Sequence, residues 1–141
     1  MVARFKTILC PVDLTPNCVA AVALAYDFAR HHGSSIYLLH VSPTRLTEPP
    51  RPPDDWEHAL SDKLQRLGQE WLEGKVPYEM ELRSGDPSAA ILAAINDLGP
   101  DLVVMATHGR TGMDRLVLGS VAEQVIRASP VPILTVRPQA T

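Results

Sequence analysis

The sequence predicts an α/β fold: a single five-stranded, parallel, doubly wound sheet of strand order 3-2-1-4-5 with helices on both faces. Three observations carry this. Short apolar runs with β-branched content alternate with stretches whose apolar residues recur at helical spacing. The order that results is β-α-β-α-β-α-β-α-β. Parallel strands need crossovers, and crossovers are right-handed, which puts helices on both faces. At 141 residues the chain is about one domain, so residues 1–141 are assigned to a single unit.

Each element has its own local reason. "FKTILCPV" and "SSIYLLHV" are short apolar runs and read as buried strands. Between them, Thr15 followed by Pro16 is a cap with proline at the first helical position, and Ala21, Leu24, Ala25 and Phe28 then fall on one face. Gly33 ends that helix. "SPTRLTEPPRPPDD" holds five prolines in fourteen residues and reads as a long surface loop, because proline suits neither a helix interior nor a central strand. Leu60, Leu64, Leu67 and Trp71 form the stripe of a second helix ending near Gly74. "YEMELR" alternates, with Met80 and Leu82 opposite Glu79, Glu81 and Arg83, which suits a half-exposed edge strand. Asp86 and Pro87 open a third helix with Ile91, Ala94, Ile95 and Leu98 as its buried face, and Gly99 and Pro100 stop it. "LVVMA" is a central strand, Ser120 to Ser129 a fourth helix and "VPILTV" the last strand.

Composition narrows the function classes. No apolar run approaches the ~20 residues that cross a bilayer, and the N-terminus lacks a secretory pattern, so a cytoplasmic protein with no membrane partner is expected. Cys10 and Cys18 match no zinc or redox spacing, and Cys10 reads as a small buried hydrophobe at a strand end. A net charge of −3 argues against nucleic acid as a partner. Glu48 to Asp101 carries twelve acidic and five basic residues, net −7, so the two flanks together carry +4 and are where an anion would bind.

In doubly wound sheets, ligands bind beyond the carboxyl ends of the strands where the strand order reverses. With order 3-2-1-4-5 that point lies between strands 1 and 4. Two segments face it: Pro11, Val12 and Asp13, and the stretch "MATHGRTGMDRLVLGS" from Met105 to Ser120. The latter spends sixteen residues where two to six would connect the same elements. Gly109, Gly112 and Gly119 admit positive φ and close backbone approach. At Gly119 and Ser120 a helix begins, so free N–H groups and the positive end of the helix dipole form an anion site, to which Arg110 and Arg115 add charge. A phosphate site and a purely structural glycine loop both fit this spacing. The Ser120 hydroxyl either donates to a phosphate or caps the helix. Asp13 is either a ribose or metal contact or a loop carboxylate that caps the first helix. His108 is a base, a phosphate contact or neither; His31 and His32 suit a helix C-terminus; His40 is core or crevice wall.

The carboxyl third, "DLVVMATHGRTGMDRLVLGSVAEQVIRASPVPILTVRP", together with "ILCPVDLT" and "LLHV", resembles the universal stress protein family over nearly the whole chain. That resemblance implies a Rossmann-like fold related to the adenine nucleotide alpha hydrolases, and an ATP-binding stress-response module. In ATP-binding members a glycine, two residues, a glycine, nine residues and then glycine with serine or threonine form the phosphate motif. Gly109, Gly119 and Ser120 match it here, and Ala106 replaces the first glycine. By resemblance, Pro11, Val12, Asp13 and Val41 line the adenine and ribose end. Gly109, Arg110, Gly112, Gly119, Ser120 and Val121 hold the phosphates, with Met105, Ala106 and His108 on the same loop. The resemblance also implies Mg²⁺ or Mn²⁺ carried by the nucleotide, with no metal held by the protein itself, and a homodimer through the last strand. The P-loop and dinucleotide fingerprints are absent, as are the acidic pair and lysine of a receiver domain and the HIGH motif of a nucleotidyl-transferase. No residue is placed as a base to activate water, so no catalytic residue is assigned and at most slow hydrolysis is expected. A nucleotide-independent interaction protein of the same fold is the alternative.

Overall fold

The computed structural model describes residues 5–42, 53–107 and 119–138. Strand β1 (Thr7–Pro11) lies at the centre of a five-stranded sheet with β2 (Ser35–Ser42) on one side and β4 (Leu102–Ala106) on the other. Beyond them β3 (Tyr78–Ser84) and β5 (Ile133–Val136) are the edges, and every neighbouring pair is parallel. The order 3-2-1-4-5 is the one the alternation of elements predicts.

Period-two alternation along the inner strands builds two cores. Ile8, Cys10, Leu102 and Val104 point to one face, where α1 (Val19–His32) brings Val22 and Ala25, α2 (Pro53–Trp71) brings Leu64, and Leu72 follows directly after α2. Leu9, Val103 and Met105 point to the other, against Ile91, Ala94, Ile95, Ala122 and Val125 of α3 (Pro87–Leu98) and α4 (Ser120–Ala128). The chain therefore leaves β1 toward one face and β4 toward the other. That divergence opens the sheet's carboxyl edge between them.

Helix ends follow side-chain chemistry. Asp86 caps α3 by accepting from the Ala89 N–H at 3.0 Å. Gly33 and Gly99 close α1 and α3 at φ 68° and 62°, a left-handed conformation costly for other residues. Thr15 caps as expected, but what it caps is a 3-10 turn, Pro16–Cys18, and the α-helix starts only at Val19. Helix α2 begins at Pro53, so Pro53 to Asp55 belong to it rather than to the proline-rich loop; residues 43–52 lie outside the described residues. Pro53 at a helix start costs little, since the N–H it lacks has no intrahelical partner there.

The edge strand β3 departs from simple alternation. Tyr78 packs against α2, where an added Cβ on Gly68 would lie 2.5 Å from the Tyr78 ring, so glycine permits that approach. Met80, on the same face, is 40% exposed. Arg83 on the other face is half-buried, because it pairs with Glu81 at 3.2 Å and Asp97 at 2.9 Å.

One carboxylate clamps the start of the central strand. Asp101 Oδ2 accepts from the Lys6 N–H at 2.8 Å and the Thr7 N–H at 3.1 Å, while the Asp101 N–H donates to the Thr7 carbonyl at 2.8 Å. Asp101→Ala leaves those two donors to water at a strand end, and chemical denaturation should show a loss of about 1–2 kcal/mol.

Candidate functional site

At the strand-order reversal the structure holds a crevice of about 270 Å³. Its walls come from the ends of β1, β2 and β4 and the first turns of α3 and α4. Nine residues singled out in the sequence line it: Pro11, Val12, Asp13, Val41, Met105, Ala106, Gly119, Ser120 and Val121. His108, Gly109, Arg110, Gly112 and Arg115 lie outside the described residues. Cys18, Leu39, Pro87, Ile91, Thr107 and Ala122 complete the lining, and nothing in the local pattern singles them out. His40, read as core or crevice wall, is both buried and part of the wall.

The turn after β1 is built tightly around Asp13. Its Oδ1 accepts from the Thr15 N–H at 3.0 Å and the Thr15 hydroxyl at 2.7 Å. Its Oδ2 is buried and has no hydrogen-bond partner among the described residues. A carboxylate oxygen out of water without a donor is costly. Asp13 thus serves the local turn with one oxygen and faces the crevice with a spare one. The next residue, Leu14, has φ 61°, the one positive-φ residue other than glycine among those described. That strain, of order 1 kcal/mol, is offset as Leu14 packs on the α1–α2 core.

His40 ties the two strand ends together. Its Nδ1 lies 2.8 Å from the Val12 carbonyl, which can only accept, so Nδ1 carries the proton. The Val12 N–H in turn donates to the Leu39 carbonyl at 2.8 Å. Cys18 borders the same turn. Burial, reinforced by the Asp13 charge, pushes its thiol up to about 11, and burial pushes the Cys10 thiol up as well. Both are neutral thiols at neutral pH and poor nucleophiles.

On the other side, the Gly119 N–H donates to the Thr107 carbonyl at 2.7 Å. Gly119 is the N-cap of α4, with φ −63° and ψ 152°, so its backbone conformation does not itself require glycine. Among the described residues no side chain caps α4, and Ser120 is the first helical residue rather than the cap. The helix's first N–H groups therefore meet the crevice with the dipole's positive end behind them. Ala106 lies within β4, paired with Val136, and has no positive φ. Alanine at the motif's first glycine is consequently free of backbone strain. Among the described residues no group of three or more His, Cys, Asp or Glu side chains could hold a metal ion. No helix among them is long and apolar enough to cross a membrane.

The universal stress protein family model matches residues 4–137. The chain belongs to that family. A universal stress protein of Thermus aquaticus is 35% identical, covering 94% of this chain and 99% of that one. Universal stress protein MJ0531 of Methanocaldococcus jannaschii is 30% identical over 94% of this chain and 82% of its own. Among solved structures, MJ0577 of the same organism superposes on this universal stress protein with a TM-score of 0.81 at 25% identity, over 99% of this chain and 100% of that one. A universal stress protein solved in complex with cAMP shares the fold, at TM-score 0.72 and 19% identity, over 97% of this chain and 100% of that one.

Two substitutions separate the two oxygens of Asp13. Asp13→Ala orphans the Thr15 donors and should cost about 1–2 kcal/mol. Asp13→Asn keeps an acceptor for Thr15 and removes a poorly solvated charge, so thermal unfolding without ligand should show it as stable as the parent or more so.

Proposed function

We propose that this universal stress protein binds ATP, accompanied by Mg²⁺ or Mn²⁺, in the crevice between β1 and β4, and acts as a nucleotide-dependent regulatory module of the stress response. The observation that carries this reading is the pairing of the spare Asp13 oxygen with the uncapped start of α4 on one apolar crevice. Pro11, Val12, Val41 and Met105 offer surface for a planar base, and Asp13 Oδ2 an acceptor for a sugar hydroxyl or an amine. The first N–H groups of α4 at Ser120 and Val121 suit phosphate oxygens. We assign Gly109, Arg110 and Gly112 to the phosphates and keep Ala106 and His108 as neighbours of the same loop. The residues fit the nucleotide but supply no metal cage, so the cation would be held mainly by the phosphates, where it neutralises their charge. No described side chain is set to activate water, which suits a binding module with at most slow hydrolysis.

We further infer a single-domain protein that works in the cytoplasm as a homodimer through its last strand. Among the described residues strand β5 pairs with β4 alone, and its four residues are half-buried, leaving an edge that usually must be covered. Light scattering at micromolar concentration should give twice the chain mass; a monomer mass would end this part of the reading.

Thermal unfolding with millimolar ATP and Mg²⁺ tests the ligand. A hundredfold excess over Kd stabilises the folded state by roughly 2.7 kcal/mol, which moves the midpoint by several degrees. The shift should follow ATP, fall away in Asp13→Asn and in Gly119→Leu with the fold kept, and be smaller with cAMP. No shift with any adenine nucleotide, and none co-purifying, would favour an interaction protein whose glycine loop is structural.

A further inference from the structure

One buried polar contact lies next to the crevice without lining it. Ser88, in the first turn of α3, is 4% exposed, and its hydroxyl meets the Asp86 Oδ2 at 2.9 Å and the side-chain amide of Gln124 on α4. A hydroxyl has a single proton to give. The Ala89 N–H, helped by the Ser88 hydroxyl, holds the Asp86 carboxyl below its ordinary range, so at neutral pH Asp86 is ionised and only accepts. The Ser88 proton therefore goes to Asp86. Gln124 meets Ser88 through Oε1, and because amide oxygen and nitrogen exchange places by a half-turn, the contact becomes a hydrogen bond when Nε2 faces the hydroxyl and donates. The relay then runs from Gln124 through Ser88 to Asp86, joining positions 36 residues apart.

Its position decides what it does. Pro87 and Ile91, on either side of Ser88, line the crevice, and so do Ser120, Val121 and Ala122, one turn before Gln124. The remaining α3–α4 packing is apolar, with Ile91, Ala94 and Ile95 in one cluster with Ala122 and Val125. Such packing is non-directional and fixes the place of α4 along α3 less sharply than a hydrogen bond does. A directional hydrogen bond removes that latitude. We propose that the Gln124–Ser88–Asp86 relay is a latch that sets the position of the first turn of α4, making Ser88 and Gln124 positioning residues for the anionic part of a bound nucleotide. This rests on the nucleotide reading above. The base-facing residues Val12 and Val41 come from the turn directly after β1 and the end of β2, which the relay does not touch.

Calorimetric titration of the parent, Ser88→Ala, Gln124→Leu and the double variant with ATP and with adenosine tests the latch. ATP affinity should fall about fivefold in each single variant, the size of one hydrogen bond, and no further in the double, while adenosine affinity holds within about twofold. Equal losses for both ligands, or for neither, would overturn the latch, since a merely structural role does not distinguish them. If the parent binds neither ligand, the nucleotide reading fails separately and amide hydrogen exchange judges the relay. The Gly119 and Glu123 amides, hydrogen-bonded to the Thr107 and Gly119 carbonyls, should then exchange faster in both single variants, and unchanged exchange would refute it.

Discussion

The structure depends on one constraint: its central strand is sealed on both faces and both edges. Ile8, Leu9 and Cys10 are fully buried, and the backbone of β1 pairs with β2 on one side and β4 on the other. The middle of this strand is closed to water, so its polar backbone groups there must be matched within the sheet. Covering both faces forces helices onto each, and the chain can do that only by reversing the direction in which strands are added. The crevice is the geometric remainder of that reversal. It exists because the chain after β1 and the chain after β4 turn away from each other.

What the crevice offers chemically comes from two termini and not from a cluster of catalytic groups. The β1 terminus carries a carboxylate half-committed to its own turn, and the β4 side carries a helix start that no described side chain caps. Apolar walls strengthen both, because charges and dipoles act over shorter effective screening where water is excluded. The strain at Leu14 and the His40 bond to Val12 hold the first terminus in place. The start of α4 is held by the Gly119 bond to Thr107 and by the contact of Gln124 with Ser88 on α3. The two halves of the crevice are thus held by independent means.

Family membership sets the architecture more firmly than the ligand. The fold recurs in relatives at 19–25% identity, at a level where it says nothing by itself about what is bound. Function lies in the particular side chains and termini that a chain places around the crevice. Ala106 shows the point: the departure from the family's glycine motif falls inside a regular strand, where its methyl group changes the wall and leaves the backbone path unaltered.

Much of this was legible in the sequence. The order of elements, the cap at Asp86 and the glycine stops at Gly33 and Gly99 are consequences of spacing within a few residues, where side-chain period and backbone preference act directly. The reversal point follows from that order, and Pro11 to Asp13 and Gly119 to Val121 follow from the reversal point. Tertiary structure alone decided the rest. Pro87 and Ile91 reach the crevice, Asp13 keeps an oxygen without a partner, Met80 stands exposed, and Ser88 meets Gln124 because of how helices settle on a twisted sheet. Those contacts join segments far apart in the chain, and no local period encodes which side chains will meet there.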